Sequence, residues 1–191
     1  MQMLDKIILI GASTGGPGQI QKIILALPLL TNSTVIIAQH MATEFLPSFA
    51  KRLQEFSKNS ISIAQNDEIV KSGSIYICDA DTQIIKKGFE PHFICEPSSL
   101  TKGYNPNINT IFKSLVPLAG DFEILALILT GIGDDGVDGC HELSLCGSRV
   151  ITESKASAIV DGMPFHARER IKSIEVKDIN EIVRSIKEFC S

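Results

Sequence analysis

Residues 5–18, DKIILIGASTGGPG, decide the fold of this chain. Residues 5–11 form a continuous and mostly β-branched run that ends in glycine, which is typical of a strand buried on both faces. A glycine-rich turn follows, and apolar residues then recur at helical spacing up to Pro28, at Ile20, Ile23, Ile24 and Leu27. A buried strand, a tight turn and a helix in this order predict the first half of a parallel β-α-β unit.

The same alternation continues along the chain. Residues 33–39 (STVIIAQ) predict a second buried strand, and an amphipathic helix follows with its apolar face at Phe45, Phe49, Leu53 and Phe56. Residues 123–130 (EILALILT) predict the most hydrophobic strand, followed by a helix to about residue 146 and a strand at 148–152. The tail, 178–190, predicts a helix with Asp178 as its N-cap. We therefore expect a doubly wound α/β fold, with a mostly parallel sheet and helices on both faces.

The middle of the chain follows a different pattern. Short alternating segments occupy residues 61–96, separated by Gly, Asp and Pro, and they predict antiparallel hairpins beside the main sheet. Residues 107–119 predict a further helix. No stretch of linker composition interrupts the chain, so we expect a single domain over residues 1–191.

Composition and charge narrow the function classes. The 191 residues are 44% hydrophobic and 21% charged, which fits a globular domain, and the net charge of −4 argues against nucleic acid or an anionic membrane as the main partner. No apolar run approaches the roughly 20 residues of a membrane span, and the N-terminus does not read as a signal peptide, so a cytoplasmic protein is expected. The five cysteines lack a C-x-x-C motif and are expected to be unpaired thiols.

Ser13 is the first candidate for chemistry. It follows the first predicted strand within a run of small residues, Gly11 to Gly18, which allows a serine to lie exposed on a sharp strand-to-helix turn. The free backbone N–H groups of the following helix would favour an oxyanion at that place. Alternatively, this turn is a phosphate-binding loop or a plain tight turn, although it lacks both the G-x-G-x-x-G pattern and a Walker lysine.

The second and third strands also end in polar residues. His40 follows the second strand and would leave the sheet at the same edge as Ser13, where an imidazole can act as a base. Asp134, Asp135 and Asp138 follow the strand at 123–130. One of these carboxylates could orient the histidine, cap the following helix or help to bind a cation, although the spacing fails the EF-hand pattern.

Ser, His and Asp at the carboxyl ends of three strands of one sheet favour a hydrolase over a binding module. The remaining histidines lack the spacing of zinc ligands. His92 is expected in a hairpin and His141 in a helix, whereas His166 is expected in a loop near the site.

Four motifs carry a specific resemblance across nearly the whole chain. They are GASTGG at 11–16, QHM at 39–41, LTGIGDDG at 129–136 and ASAIVDGMP at 156–164. In these motifs the sequence resembles the catalytic domain of the chemotaxis protein-glutamate methylesterases of the CheB type. The family often carries an N-terminal receiver domain, which is not expected here because the first catalytic strand starts close to Met1.

The resemblance implies a catalytic triad of Ser13, His40 and Asp135. Asp135 matches the acid of the family because it directly precedes Gly136 in the G-x-G-x-D-G turn. The oxyanion donors of the family map to the backbone N–H groups of Thr14 and Ile132, and Ile132 stands where the family usually has methionine.

The implied activity is hydrolysis of glutamate methyl esters on the cytoplasmic helices of chemoreceptors. It would release methanol through an acyl-serine intermediate without a metal or organic cofactor. Deamidation of receptor glutamines by the same chemistry is implied as well. The family's basic His-Arg-Pro-Ser stretch is replaced here by residues 103–107, GYNPN, which changes how a substrate would be held. The alternatives are a nucleotide- or phosphate-binding module, a catalytically silent receptor-binding homologue and a general esterase for small metabolites.

Overall fold

The computed structural model describes residues 3–79, 81–96 and 104–191. The strands within these ranges are β1 Lys6–Ala12, β2 Ser33–Gln39, β3 Ser60–Ile63, β4 Ser74–Ile77, β5 Asp81–Lys87, β6 Glu90–Glu96, β7 Glu123–Ile128, β8 Arg149–Glu153 and β9 Glu175–Lys177. The α-helices are α1 Gly16–Ala26, α2 Leu46–Gln54, α3 Ile108–Ser114, α4 Val137–Leu145, α5 Gly162–Arg170 and α6 Ile179–Cys190.

Seven of the strands form one sheet in the order β3-β4-β2-β1-β7-β8-β9, and every pairing in it is parallel. The remaining two, β5 and β6, form a separate antiparallel hairpin. β1 lies in the centre, with β2 on one side and β7 on the other. The chain therefore changes direction across the sheet at β1, and ligands of such folds bind at the carboxyl ends of the strands beside this point. The predicted α/β class is confirmed.

Helices cover both faces of the sheet because side chains alternate along its central strand. Ile8 and Ile10 of β1 pack in one buried cluster with α1, α2 and α6. Ile7 and Leu9 pack in the other with α3, α4, α5 and the β5–β6 hairpin. β1 and β2 are thus buried on both faces, which explains the apolar runs at residues 7–12 of β1 and 35–38 of β2.

The structure corrects the prediction of antiparallel hairpins over residues 61–77. β3 and β4 in this region are parallel strands of the main sheet, and only residues 81–96 form a hairpin. The apolar run Ile75-Tyr76-Ile77 is buried because β4 lies between β2 and β3. A three-residue apolar run is too short for periodicity to distinguish a hairpin strand from a buried parallel strand.

Two other predictions require adjustment. The helix expected at 107–119 is α3 followed by a 3-10 turn at Val116–Leu118, because Pro117 cannot donate the backbone hydrogen bond that would continue an α-helix. The loop expected around His166 is helix α5, in which Pro164 lies in the first turn, where a backbone donor has no partner in the helix. The strand β9 was not predicted from the sequence. Helix α6 begins as expected, with Asp178 accepting from the N–H of Glu181 in a capping box.

All five cysteines are unpaired. Cys78 and Cys140 are buried, and burial raises the pKa of the Cys140 thiol to about 12, so this side chain packs as a neutral apolar group. Across the described ranges, no helix is both long enough and apolar enough to cross a bilayer.

Candidate active site

Ser13 lies on the tight turn between β1 and α1, and neighbouring strands hold its backbone. Its N–H donates to the carbonyl of Thr130 at 3.0 Å, and its carbonyl accepts from the side-chain amide of Gln39 at 2.9 Å. The turn ends at Gly15, whose φ of 84° is one that glycine adopts without strain. The serine side chain therefore projects from a backbone that is fixed at both sides.

His40 directly follows β2, and its N–H continues the β1–β2 ladder by donating to the carbonyl of Ala12 at 2.9 Å. The imidazole Nε2 lies 2.8 Å from Oδ2 of Asp135. One face of the ring stacks on Tyr104, with centroids 4.7 Å apart and an angle of 7° between the planes. Adjacent parallel strands thus bring Ser13 and His40 to one edge of the sheet, as the sequence predicted.

Asp135 is only 2% exposed and accepts three hydrogen bonds. Besides His40, it accepts from the backbone N–H of Ile108 at 2.8 Å and of Asn109 at 3.0 Å. These two donors belong to the first turn of α3, where helical N–H groups lack partners within the helix. The alternative in which a carboxylate caps the following helix, α4, is wrong for this residue, since the N-cap of α4 is Gly136 and no side chain caps this helix.

The other two carboxylates of the sequence cluster, Asp134 in the loop and Asp138 in the first turn of α4, have a different partner. Asp134 and Asp138 both pair with Arg170 of α5, at 3.2 and 2.6 Å. Among the residues that the structure describes, no group of three or more His, Cys, Asp or Glu side chains could hold a metal ion. The geometry therefore gives no support to the cation-binding alternative.

A cleft of about 430 Å³ opens at this edge of the sheet. Its lining consists of Ser13, Thr14, His40, Met41, Ala42, Tyr104, Asn105 and Ile132. The Ile132 side chain is 63% exposed at its rim. Within the described part of the chain, no hydrogen bond engages the backbone N–H of Thr14 or of Ile132, so both donors are free for a ligand. The cleft thus combines a hydroxyl, an imidazole paired with a carboxylate and two free backbone donors.

A buried pair behind the cleft was missed from the sequence. The Oγ of Thr130 donates to the carbonyl of Thr14 at 2.9 Å, and the Thr130 N–H donates to the buried carboxylate of Glu153 at 3.0 Å. Glu153 also accepts from the side chains of Gln19 and Ser157. Thr130, which follows β7, thereby links the backbone of the serine turn to Glu153 at the end of β8. The sequence could have indicated this pair, because Glu153 is a charged residue at the carboxyl end of a buried strand.

The remaining histidines lie elsewhere. His92 is in β6, where its Nδ1 is 3.2 Å from the carbonyl of Asp67, and His141 is in α4, both in the predicted kind of element. His166 lies in α5 with its ring against Phe165, and it does not line the cleft described above. The expectation of a loop at His166 is therefore wrong.

Comparison with known proteins identifies the family. A family model described as CheB methylesterase matches residues 8–186. A protein-glutamate methylesterase/protein-glutamine glutaminase of Methanosarcina barkeri is 31% identical over 97% of this chain and 52% of its own length. One of Bacillus subtilis is 33% identical over 95% of this chain and 51% of its own. The chain therefore spans about half the length of these curated relatives.

The fold agrees with the same assignment. The crystal structure of the Thermotoga maritima CheB methylesterase catalytic domain superposes with a TM-score of 0.88 at 29% identity, covering 96% of this chain and 98% of that one. The resemblance in the four sequence motifs is thereby confirmed, and this chain belongs to the CheB methylesterase family.

Proposed function

We propose that this chain hydrolyses glutamate methyl esters on chemoreceptors, with Ser13 as nucleophile, His40 as base and Asp135 as the residue that orients His40. The observation that carries the proposal is the His40–Asp135 hydrogen bond of 2.8 Å at a cleft that Ser13 also lines. The names of the relatives support the choice of substrate.

In the proposed mechanism each nitrogen of the imidazole has one role. Nε2–H donates to the Asp135 carboxylate, which has no proton of its own to give when ionised. Nδ1 is then the unprotonated nitrogen that accepts the proton of Ser13 as its Oγ attacks the ester carbonyl. The resulting imidazolium is stabilised by Asp135 and returns its proton to the leaving methoxide, which departs as methanol.

The developing oxyanion is proposed to bind the free backbone N–H groups of Thr14 and Ile132. Loss of one such donor typically costs about 3–4 kcal/mol in transition-state stabilisation. Water then attacks the acyl-serine with His40 again as base, which regenerates Ser13 and leaves the glutamate carboxylate. A glutamine side chain would follow the same path with ammonia as leaving group. No step requires a metal or organic cofactor.

The partner that fits this cleft is a protein surface with a projecting ester side chain, which we propose to be the cytoplasmic helices of methylated chemoreceptors. A cytoplasmic location follows from this substrate. The site is an open cleft at the sheet edge, so contacts away from the ester must contribute to substrate positioning, and small esters lack those contacts.

Methanol release tests the proposal. Wild-type protein incubated with membranes that contain methylated chemoreceptors is expected to release methanol, and receptors bearing glutamine are expected to release ammonia. Unmethylated membranes serve as control. Failure to release methanol would contradict the proposal. Rapid turnover of p-nitrophenyl acetate, combined with inactivity on methylated receptors, would instead indicate a general esterase for small substrates.

Gly131 provides a test of the serine geometry. A Cβ at this position would lie 2.7 Å from Cβ of Ser13 and 2.3 Å from Sδ of Met163, so alanine must displace the serine side chain even if the methionine moves aside. We expect Gly131→Ala to lower kcat for methanol release about 100-fold, since a misplacement of about 1 Å can cost that much. Gly120→Ala is the matched control, because nothing lies within 4 Å of its added Cβ. Wild-type kcat in Gly131→Ala would contradict the proposed serine position.

A further inference from the structure

Tyr104 covers one face of the imidazole of His40, and both rings line the cleft. The two rings are nearly parallel, 7° apart in plane, with centroids 4.7 Å apart, which is within the range of a stacked aromatic pair. His40 has only 12% of its side chain exposed, whereas Tyr104 is 42% exposed. The tyrosine is therefore the more exposed member of the stacked pair and covers one face of the imidazole.

The backbone holds this stack in place. Asn105, the next residue, accepts from the N–H of Met41 at 3.0 Å through its carbonyl, and its side-chain amide donates to the carbonyl of Met41 at 3.2 Å. Hydrogen bonds between Met41 and Asn105, the residues that directly follow His40 and Tyr104, thus join the two segments. Such pairing fixes both Cα positions, so the ring contact does not depend on the side chains alone.

The hydroxyl end of Tyr104 reaches the loop that carries Ile132 and Asp135. A Cβ built on Gly133 would lie 2.8 Å from Oη of Tyr104, so the absence of a side chain at this position leaves room for the phenol. Tyr104 thereby spans the site from the imidazole to the proposed oxyanion loop. It belongs to the GYNPN stretch, in which this chain departs from the family pattern.

We propose that Tyr104 is a positioning residue for His40, which fixes the plane of the imidazole and stabilises the imidazolium formed when Ser13 loses its proton. This inference rests on the proposed function. Asp135 holds one edge of the ring at Nε2, and a hydrogen bond at one atom still allows the ring to tilt. The stacked phenol limits that tilt, which in the proposed mechanism keeps Nδ1 in place to accept the proton of Ser13.

The same contact has an electrostatic effect that is largest in the transition state. An aromatic face attracts a cation, and the attraction increases where water is excluded. The tyrosine face stabilises the neutral imidazole of the resting enzyme only slightly, whereas it stabilises the imidazolium more strongly. A contact of this kind raises kcat rather than tightening substrate binding.

The test compares Tyr104→Phe with Tyr104→Leu. Phenylalanine keeps the ring and should retain kcat for methanol release within about twofold of wild type. Leucine keeps an apolar wall without a ring face, and we expect kcat to fall about tenfold with little change in KM, the pattern of an interaction made in the transition state. Equal kcat in Tyr104→Leu and wild type would overturn the proposal, as would a rise in KM alone, because that result describes a substrate-binding wall.

Nuclear magnetic resonance of the histidine ring protons provides a readout that needs no turnover. The Tyr104 ring face shields the His40 protons, so Tyr104→Leu is expected to move them downfield, whereas Tyr104→Phe should leave them nearly in place. A His40→Gln variant assigns the resonances among the four histidines. Unshifted His40 resonances in Tyr104→Leu would overturn the stacking itself. A wild-type protein that is inactive on methylated receptors would count against the proposed function instead, and the resonance test would still decide the stacking.

Discussion

Replacing Ser13 with alanine is expected to reduce kcat for methanol release by about 10⁴- to 10⁶-fold. Alanine removes the attacking oxygen, so the remaining groups can only bind the ester and polarise its carbonyl. The fold should not change, because the structural contacts of this residue are made by its backbone, through Thr130 and Gln39. Methanol assays together with thermal unfolding separate the loss of chemistry from any loss of stability.

Ser60→Ala is a suitable control for this variant. Ser60 is an exposed serine at the first residue of β3, and the start of a parallel strand lies at the sheet edge opposite the cleft. It should retain wild-type activity and stability. Ser13→Ala with substantial methanol release would rule out an acyl-serine intermediate and require direct attack by water.

Replacing Asp135 with asparagine is expected to lower kcat about 10⁴-fold and, unlike Ser13→Ala, to destabilise the fold. The carboxylate accepts from His40 Nε2 and from two N–H groups of α3, and an amide offers one acceptor atom and two donor hydrogens in its place. Any orientation of the asparagine leaves at least one buried donor facing another donor, or reverses the tautomer of His40. We expect the free energy of unfolding to fall by about 1–3 kcal/mol.

Asp138→Asn, in the first turn of α4 three residues further on, is the matched control. Its carboxylate is exposed and pairs with Arg170 at 2.6 Å, and an exposed ion pair contributes about 0–1 kcal/mol to stability. This variant should therefore behave nearly as wild type in denaturant unfolding and in methanol release. If Asp135→Asn lowered activity but kept wild-type stability, the contacts of Asp135 with the first turn of α3 would be energetically unimportant.

The parallel sheet was predictable from β1, β2 and β7 because each contains an apolar run of four to six residues, as is typical of strands buried on both faces. β4 was misassigned since only three of its residues are buried together, and a run of that length has no readable period. Helix α5 was missed for a related reason. It begins with Gly162, Met163 and Pro164, which have the composition of a turn, and its apolar face is weakly patterned.

The proposed chemical residues could be selected from the sequence because they follow strands whose carboxyl ends meet at one edge. The residues that contact Asp135 and His40 could not be selected in this way. The contact of Asp135 with Ile108 and Asn109 depends on where α3 docks, and the stacking of Tyr104 depends on how residues 104–105 pair with the chain after β2. Local sequence carries no information about either docking, since both join segments more than 25 residues apart.

Two roles are proposed for different parts of Ile132. The oxyanion donor proposed there is a main-chain N–H, while its side chain stands 63% exposed at the rim of the cleft. Every amino acid except proline supplies the same N–H. Substitution of residue 132, by evolution or in a randomised library, is therefore expected to change which protein surfaces can dock at the cleft. The reaction rate on a bound ester is expected to stay the same.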